Sequence, residues 1–104
     1  DGNMNGAVRR EYEKTFMDKV VVIHAAFDEK PHTVAFVMVD KTLSDLEKCE
    51  EAFMKTNTID EAWWTNDGVV YIHEEPTCRS TSNGDFVVVG QTKYKCARVG
   101  WEKV

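Results

Sequence analysis

The sequence of 104 residues predicts a single α+β domain that combines two helices with a hairpin-rich antiparallel sheet. Its length fits one compact core, and its 42% hydrophobic and 11% aromatic content is typical of folded chains. β-branched runs separated by turn residues surround one clearly amphipathic segment. The predicted order over residues 1–104 is α-β-β-α-β-β-β(-β), in which the bracketed strand is optional.

The first element is a predicted short helix. Met4, Val8, Tyr12 and Phe16 recur at every fourth position, and charged residues fall between them. We interpret Met4 as a candidate natural start, with residues 1–3 left from expression, and a processed N-terminus is the alternative.

A hairpin follows this helix. Residues 20–27 and 33–39 are rich in valine and other apolar side chains, and residues 28–31, Asp-Glu-Lys-Pro, have turn chemistry. Both strands are apolar on both faces. Such strands are typical of the centre of a sheet that is covered on both sides.

The second helix is the clearest element of the sequence. Ser44 followed by Glu47 forms a capping-box pattern, and Asn57 is a plausible stop. Glu50 lies within the predicted apolar stripe, where we expect its stem to pack at the edge and its carboxylate to reach water. The stripe is formed by Leu43, Leu46, Cys49, Phe53 and Met54.

Beyond the helix, the sequence predicts a second hairpin. Residues 62–65 and 69–73 flank the turn signal Asn-Asp-Gly at 66–68. A polar loop at 76–84 then leads to a strand at 85–89. Gly90 allows a bend before a last strand at 92–101, whose exposed edge could pair with a second copy in a homodimer.

Charge and cysteine content limit the classes of function. The net charge is −5, and residues 28–75 carry twelve acids and four bases, for −8. This acidic middle argues against a protein that coats nucleic acid or anionic membrane, and it suits a basic partner.

The odd number of well-separated cysteines predicts reduced thiols in a cytoplasmic protein. No apolar run is long enough to cross a bilayer.

The leading functional prediction is a small, acidic, non-enzymatic interaction domain, accessory or inhibitor-like, that binds a larger and basic partner. Adjacent residues of a strand face opposite ways, so Trp63 and Trp64 would not both be buried in so small a domain. An exposed indole beside Asp60 and Glu61 has the composition of an interface hot spot. In the alternative interpretation, one tryptophan fills the core and the other packs beneath the helix.

A second hypothesis is a metal-binding or acid–base site at His24 and His73, with Cys78 nearby. Strand alternation would bring both imidazoles to one side of the sheet if their strands are neighbours. The spacing matches no known zinc pattern, and histidines that are each hydrogen-bonded or solvated at strand ends are the simpler interpretation. We predict no cofactor.

The third hypothesis is a single-stranded nucleic-acid binder. Bases and aromatics interleave along the last predicted strand, at Lys93, Tyr94, Lys95, Arg98 and Trp101. The same pattern is typical of an edge strand that lysines protect against unwanted pairing. The sequence pattern identifies no particular family.

Overall fold

A computed structural model describes residues 16–58 and 62–104, which form one antiparallel six-stranded sheet and one α-helix. The α+β class is therefore confirmed, but the two-helix count is not. The predicted first helix lies before residue 16, apart from its last residue, and so falls outside the described residues. The elements are β1 Met17–His24, β2 His32–Asp40, α1 Asp45–Lys55, a 3-10 turn Trp63–Thr65, β3 Val69–Tyr71, β4 Phe86–Val89, β5 Thr92–Cys96 and β6 Trp101–Lys103.

The strands lie in the order β3-β2-β1-β4-β5-β6, and every neighbouring pair is antiparallel. β1 and β2 form the predicted hairpin, with their register shifted by a bulge between Val22 and Ile23. Because β2 separates β1 from β3, the strands that end at His24 and just before His73 are not neighbours. Among the described residues, no helix has the length and apolar character needed to cross a lipid bilayer.

One face of the sheet forms the core. Val20, Val22, Val37 and Val87 have no solvent exposure, and α1 packs against β1, β2 and β4. On the opposite face, alternate residues such as Val21 are only partly buried. The prediction was that both faces of the sheet are covered, but within the described ranges only one face is covered by the helix.

The N-terminus of α1 forms as predicted. Ser44 Oγ accepts from the Glu47 amide at 3.2 Å, and Glu47 Oε1 accepts from the Ser44 amide at 3.0 Å. The helix ends at Lys55, two residues before Asn57, because the Thr56 amide closes the last turn on the carbonyls of residues 52 and 53.

The prediction that the apolar stripe of α1 faces the sheet is wrong for two of its residues. Cys49 is buried as expected, but Leu46 is 51% and Met54 60% exposed, while Lys48 and Ala52 face the sheet. The small side chains of Cys49 and Ala52 allow the helix to lie close to the valines beneath it. The aliphatic part of Lys48 is buried between the helix and the sheet, and its amine binds Asp18 Oδ2 at 2.8 Å.

The prediction of a strand at Trp63 is also wrong, because Trp63–Thr65 forms a 3-10 turn. Thr65 Oγ1 donates to the Ala62 carbonyl at 2.7 Å, and Asn66 Nδ2 donates to the Lys55 carbonyl at 2.7 Å. These side chains offer the backbone local hydrogen bonds that compete with a sheet. The turn at 66–68 therefore leads into β3 instead of joining two strands.

The predicted last strand is divided into β5 and β6. Gly100 has φ +75°, a conformation that favours glycine, and the Ala97 amide donates to the Gly100 carbonyl at 3.0 Å. The chain reverses there, and Trp101 pairs with Cys96 across the new hairpin. This turn places Trp101 beside α1.

Candidate functional site

An apolar groove with an acidic rim lies between α1 and the start of β6. Its volume is about 360 Å³. Leucine and tryptophan side chains form its apolar surface, and three carboxylates surround it. The lining residues are Leu43, Leu46, Glu47, Glu50, Glu51, Gly100 and Trp101.

Trp101 is the aromatic wall of this groove. The pairing of Cys96 with Trp101 places its indole on the helix side of the sheet. The indole Nε1–H donates to Glu50 Oε1 at 2.8 Å, and the ring meets Phe53 edge-on at 6.2 Å between centroids. Trp101 remains partly exposed, so one side of the indole is available to a ligand.

The hydrogen bond from Trp101 gives the Glu50 carboxylate a partner on the groove side of α1. The Glu50 carboxylate reaches water, as expected, and it also fixes the orientation of the indole. A second bond joins α1 to the neighbouring strand, since the Tyr94 hydroxyl donates to Asp45 Oδ2 at 2.8 Å and thereby holds α1 against β5. These two bonds hold the helix wall and the strand wall of the groove together.

The predicted tryptophan patch is only partly available at the surface. Trp63 is 2% exposed, and its Nε1–H donates to the carbonyls of Cys78 and Arg79 at 3.2 and 3.0 Å. The Trp64 ring packs edge-on against Trp63 at 5.6 Å and stays partly exposed. Asp60 and Glu61 lie outside the described residues. Trp64 is thus the indole of this pair that a partner could reach.

A second, more polar cavity of about 440 Å³ collects the histidines. The rings of His24 and His73 do not meet directly, because His32 of the intervening strand lies between them. The centroid of His32 is 6.2 Å from that of His24 and 5.2 Å from that of His73. The cavity is lined by His24, Glu29, Lys30, His32, His73, Thr77, Cys78 and Arg79.

His24 is fully buried at the inner end of this cavity. Its Nε2 lies 3.0 Å from Thr81 Oγ1, and its Nδ1 lies 3.6 Å from Cys78 Sγ. Burial lowers the pKa of His24 to about 4 and raises the pKa of the Cys78 thiol to about 11. Both groups are therefore neutral at pH 7.

An ion-pair cluster forms one side of the cavity. Arg79 donates to both oxygens of the buried Asp85 at 2.7 and 2.8 Å and to Glu29 at 2.6 Å. Asp85 also accepts from the amides of Ala25, Ala26 and Ser82. Burial alone would raise the pKa of Asp85, but the guanidinium and these amides outweigh it and lower the pKa to about 2. This cluster fixes the 76–84 loop against the first hairpin.

The proposed metal ligands do not form a recognisable metal centre. Within residues 16–58 and 62–104, no group of three or more His, Cys, Asp or Glu side chains is arranged to hold a metal ion. His32, Asp85 and Arg79 were not predicted from the sequence as members of this cavity or its ion-pair cluster. The pairing of His24 with His32 across the first hairpin is the one signal that could have revealed His32.

The interleaved bases and aromatics near the C-terminus do not share one surface. In β5, Lys93 and Lys95 are exposed on the outer face, whereas Tyr94 is buried on the helix side with Trp101. Lys93 Nζ lies 4.8 Å from the centroid of the Phe86 ring on that outer face. A strand bound along β5 would therefore meet lysines without these two aromatics.

Comparison of the chain with protein-family models, with curated proteins and with solved structures gave no match.

Proposed function

We propose that this protein is a small non-enzymatic interaction domain that binds a basic, amphipathic segment of a larger protein in the groove between α1 and β6. The observation that carries this proposal is an apolar groove, with Leu46 and Trp101 in its walls, enclosed by the carboxylates of Glu47, Glu50 and Glu51. Apolar anchors inside a polar rim are typical of protein interfaces.

Exposed apolar side chains give the groove a driving force for binding. Leu46 is 51% exposed, and Met54 at 60% extends the apolar surface along the helix. Full burial of a leucine or methionine side chain is worth about 1.5–3 kcal/mol. Trp101 is held by Glu50 and Phe53 and so loses little side-chain freedom on binding, which suits it to be a hot spot.

The charge of the groove favours a basic ligand. The two lysines of α1 do not neutralise its rim, because Lys48 binds Asp18 and the Lys55 amine lies 3.4 Å from the Met38 carbonyl. The carboxylates of the groove therefore face solvent without a helix lysine beside them. A segment with lysines or arginines beside its apolar face would complement this rim and associate faster at low salt.

A labelled peptide tests the proposal directly. We expect a helical peptide with leucines on one face and lysines on the other to bind, as measured by fluorescence anisotropy, and to bind more weakly as salt increases. Trp101→Ala should lower its affinity at least about tenfold, equal to about 1.4 kcal/mol. A matched peptide with glutamates in place of the lysines should not bind.

Two variants serve as controls. Leu46→Lys changes an exposed residue, so it should reduce binding with the fold intact by circular dichroism. Trp64→Ala tests the patch first predicted with Asp60, Glu61 and Trp63, and the groove proposal expects it to bind normally. Equal binding of both peptides, or normal binding by Trp101→Ala and Leu46→Lys, would refute the proposal.

A homodimer and a cytoplasmic location remain parts of this proposal. The described cysteines Cys49, Cys78 and Cys96 are free thiols, which supports a reducing compartment. Among the described residues, β6 is a three-residue strand at the edge of the sheet, and its outer side could pair with a second copy. Light scattering should give twice the monomer mass if this pairing occurs.

A further inference from the structure

One carboxylate of the groove between α1 and β6 has no partner of its own. Glu47 Oε1 accepts from the amide of the N-cap residue, and Glu50 Oε1 accepts from the Trp101 indole. Glu51 lines the same groove and is partly buried, yet no group among the described residues forms a hydrogen bond or an ion pair with its carboxylate. Glu51 is therefore the rim carboxylate that can pair with a ligand at no cost to an existing contact.

The helix does not neutralise Glu51 with a lysine of its own. Lys55 follows Glu51 by four residues, the spacing at which a glutamate and a lysine normally pair along a helix. The Lys55 amine instead lies 3.4 Å from the Met38 carbonyl. Because a charge that is withdrawn from water is costly unless it is paired, a cation supplied by the ligand would stabilise this part of the groove.

Trp101 gives the same groove an aromatic surface. Its indole is held by the bond to Glu50 Oε1 at 2.8 Å and by the edge-on contact with Phe53, and it stays partly exposed. A cation over the face of an indole is attracted by the π electrons, and tryptophan gives the strongest contact of this kind. Leu43 and Leu46 line the groove with apolar surface, which suits the aliphatic stem of a long cationic side chain.

We infer that the groove selects an arginine side chain of its ligand, with the guanidinium paired to Glu51 and stacked on Trp101. Arginine recognition rests on the proposed function, because the arginine belongs to the basic segment that the groove binds. A guanidinium is planar and weakly hydrated, and it can donate two parallel hydrogen bonds to one carboxylate. A lysine amine is compact and strongly hydrated, so it gains less from an apolar groove. Glu51 is then the residue that determines specificity.

Three matched peptides test this selection by fluorescence anisotropy. The first is the leucine–lysine peptide described above, and in the other two every lysine is replaced by arginine or by citrulline, which has the shape of arginine without its charge. We expect the arginine peptide to bind the wild-type protein at least about fivefold more tightly than the lysine peptide. The citrulline peptide should bind most weakly.

Glu51→Gln removes the charge of this carboxylate with little change of shape. The ratio of the dissociation constants of the lysine and arginine peptides should then fall close to one. Glu74→Gln is the matched control, because it removes an exposed carboxylate that lies outside the groove, and it should keep the wild-type ratio. Trp101→Leu keeps an apolar wall without the indole face, so it should also lower the ratio.

The outcomes separate arginine recognition from the proposed function. Equal affinity for the lysine and arginine peptides, or an unchanged ratio in Glu51→Gln, overturns arginine recognition while peptide binding in the groove stands. An equal fall of the ratio in Glu74→Gln overturns it as well, because net charge then explains the effect. If no peptide binds, the proposed function fails, and N-acetylarginine amide tests the arginine site alone. A saturable shift of the Trp101 indole signal with this compound, absent with N-acetyllysine amide, supports the site, and no shift overturns it.

Discussion

Acidification should destabilise the protein through His24 before it affects the carboxylates. His24 is fully buried, and its pKa falls from 6.5 to about 4 on folding because burial disfavours the imidazolium. A group whose folded pKa is lowered stabilises the fold above its unfolded pKa, and this stability is lost as the pH falls toward the folded value. The affected window therefore runs from about pH 6.5 to 4.

The size of this effect follows from the same shift. Each pKa unit corresponds to about 1.4 kcal/mol, so the free energy of unfolding should fall by about 3 kcal/mol across the window. Most of that loss should be complete by pH 4.5. Urea unfolding followed by tryptophan fluorescence, at half-unit steps from pH 7.5 to 4.5, measures it.

His24→Gln is the matched control because its amide can still donate to Thr81 but does not titrate. We expect its stability to change little over this range. The pKa values of Asp18, Glu29 and Asp85 are lowered in the fold, so their contributions are lost mainly below about pH 4.5, the lower end of the measured range. Constant wild-type stability from pH 6.5 to 4.5, or an equal loss in His24→Gln, would refute the reasoning.

Two further predictions concern stability at neutral pH. Ser44→Ala removes the acceptor for the Glu47 amide, and we expect a loss of about 1 kcal/mol in urea unfolding; no loss would show that the capping box contributes nothing. Arg79→Met leaves the buried Asp85 without its cation, so we expect a loss of about 3–5 kcal/mol, and a loss below 1 kcal/mol would contradict the assigned role.

Elements governed by local chemistry could be predicted from the sequence. The capping box at Ser44 and the first hairpin each depend on residues that are close in the chain, although the strand ends at His24 and the turn lies at Phe27 and Asp28 instead of at 28–31. The same holds for the bend at Gly90, whose φ of +60° few other residues adopt readily. These signals identify the α+β class.

The errors arose where distant contacts decide the structure. The orientation of α1 depends on how closely Cys49 and Ala52 approach the sheet, and helical periodicity alone cannot show this. Besides the local hydrogen bond of Thr65, distant contacts hold the turn at Trp63, because carbonyls of the 76–84 loop accept the indole proton of Trp63. Contacts between residues that are distant in the chain cannot be predicted from the pattern of neighbouring residues.

The positions of the candidate sites also depend on contacts between distant parts of the chain. The acidic, aromatic character of a binding surface was predicted at Trp63 and Trp64, but the groove that has this character contains Trp101. That groove exists because the turn at Gly100 returns the chain to α1. Likewise, the polar cavity depends on His32 of β2, whose position between the other two histidines follows from the strand order.

The indole signals of a proton–nitrogen NMR spectrum test the proposed groove most directly. The chain has three tryptophans, and each environment differs: Trp101 donates to Glu50, Trp63 donates to buried loop carbonyls, and Trp64 lies at the surface. On addition of the lysine-rich amphipathic peptide, the Trp101 signal should shift in a saturable manner while the Trp63 and Trp64 signals stay in place. A saturable shift confined to Trp64, or no shift of Trp101, would contradict the account.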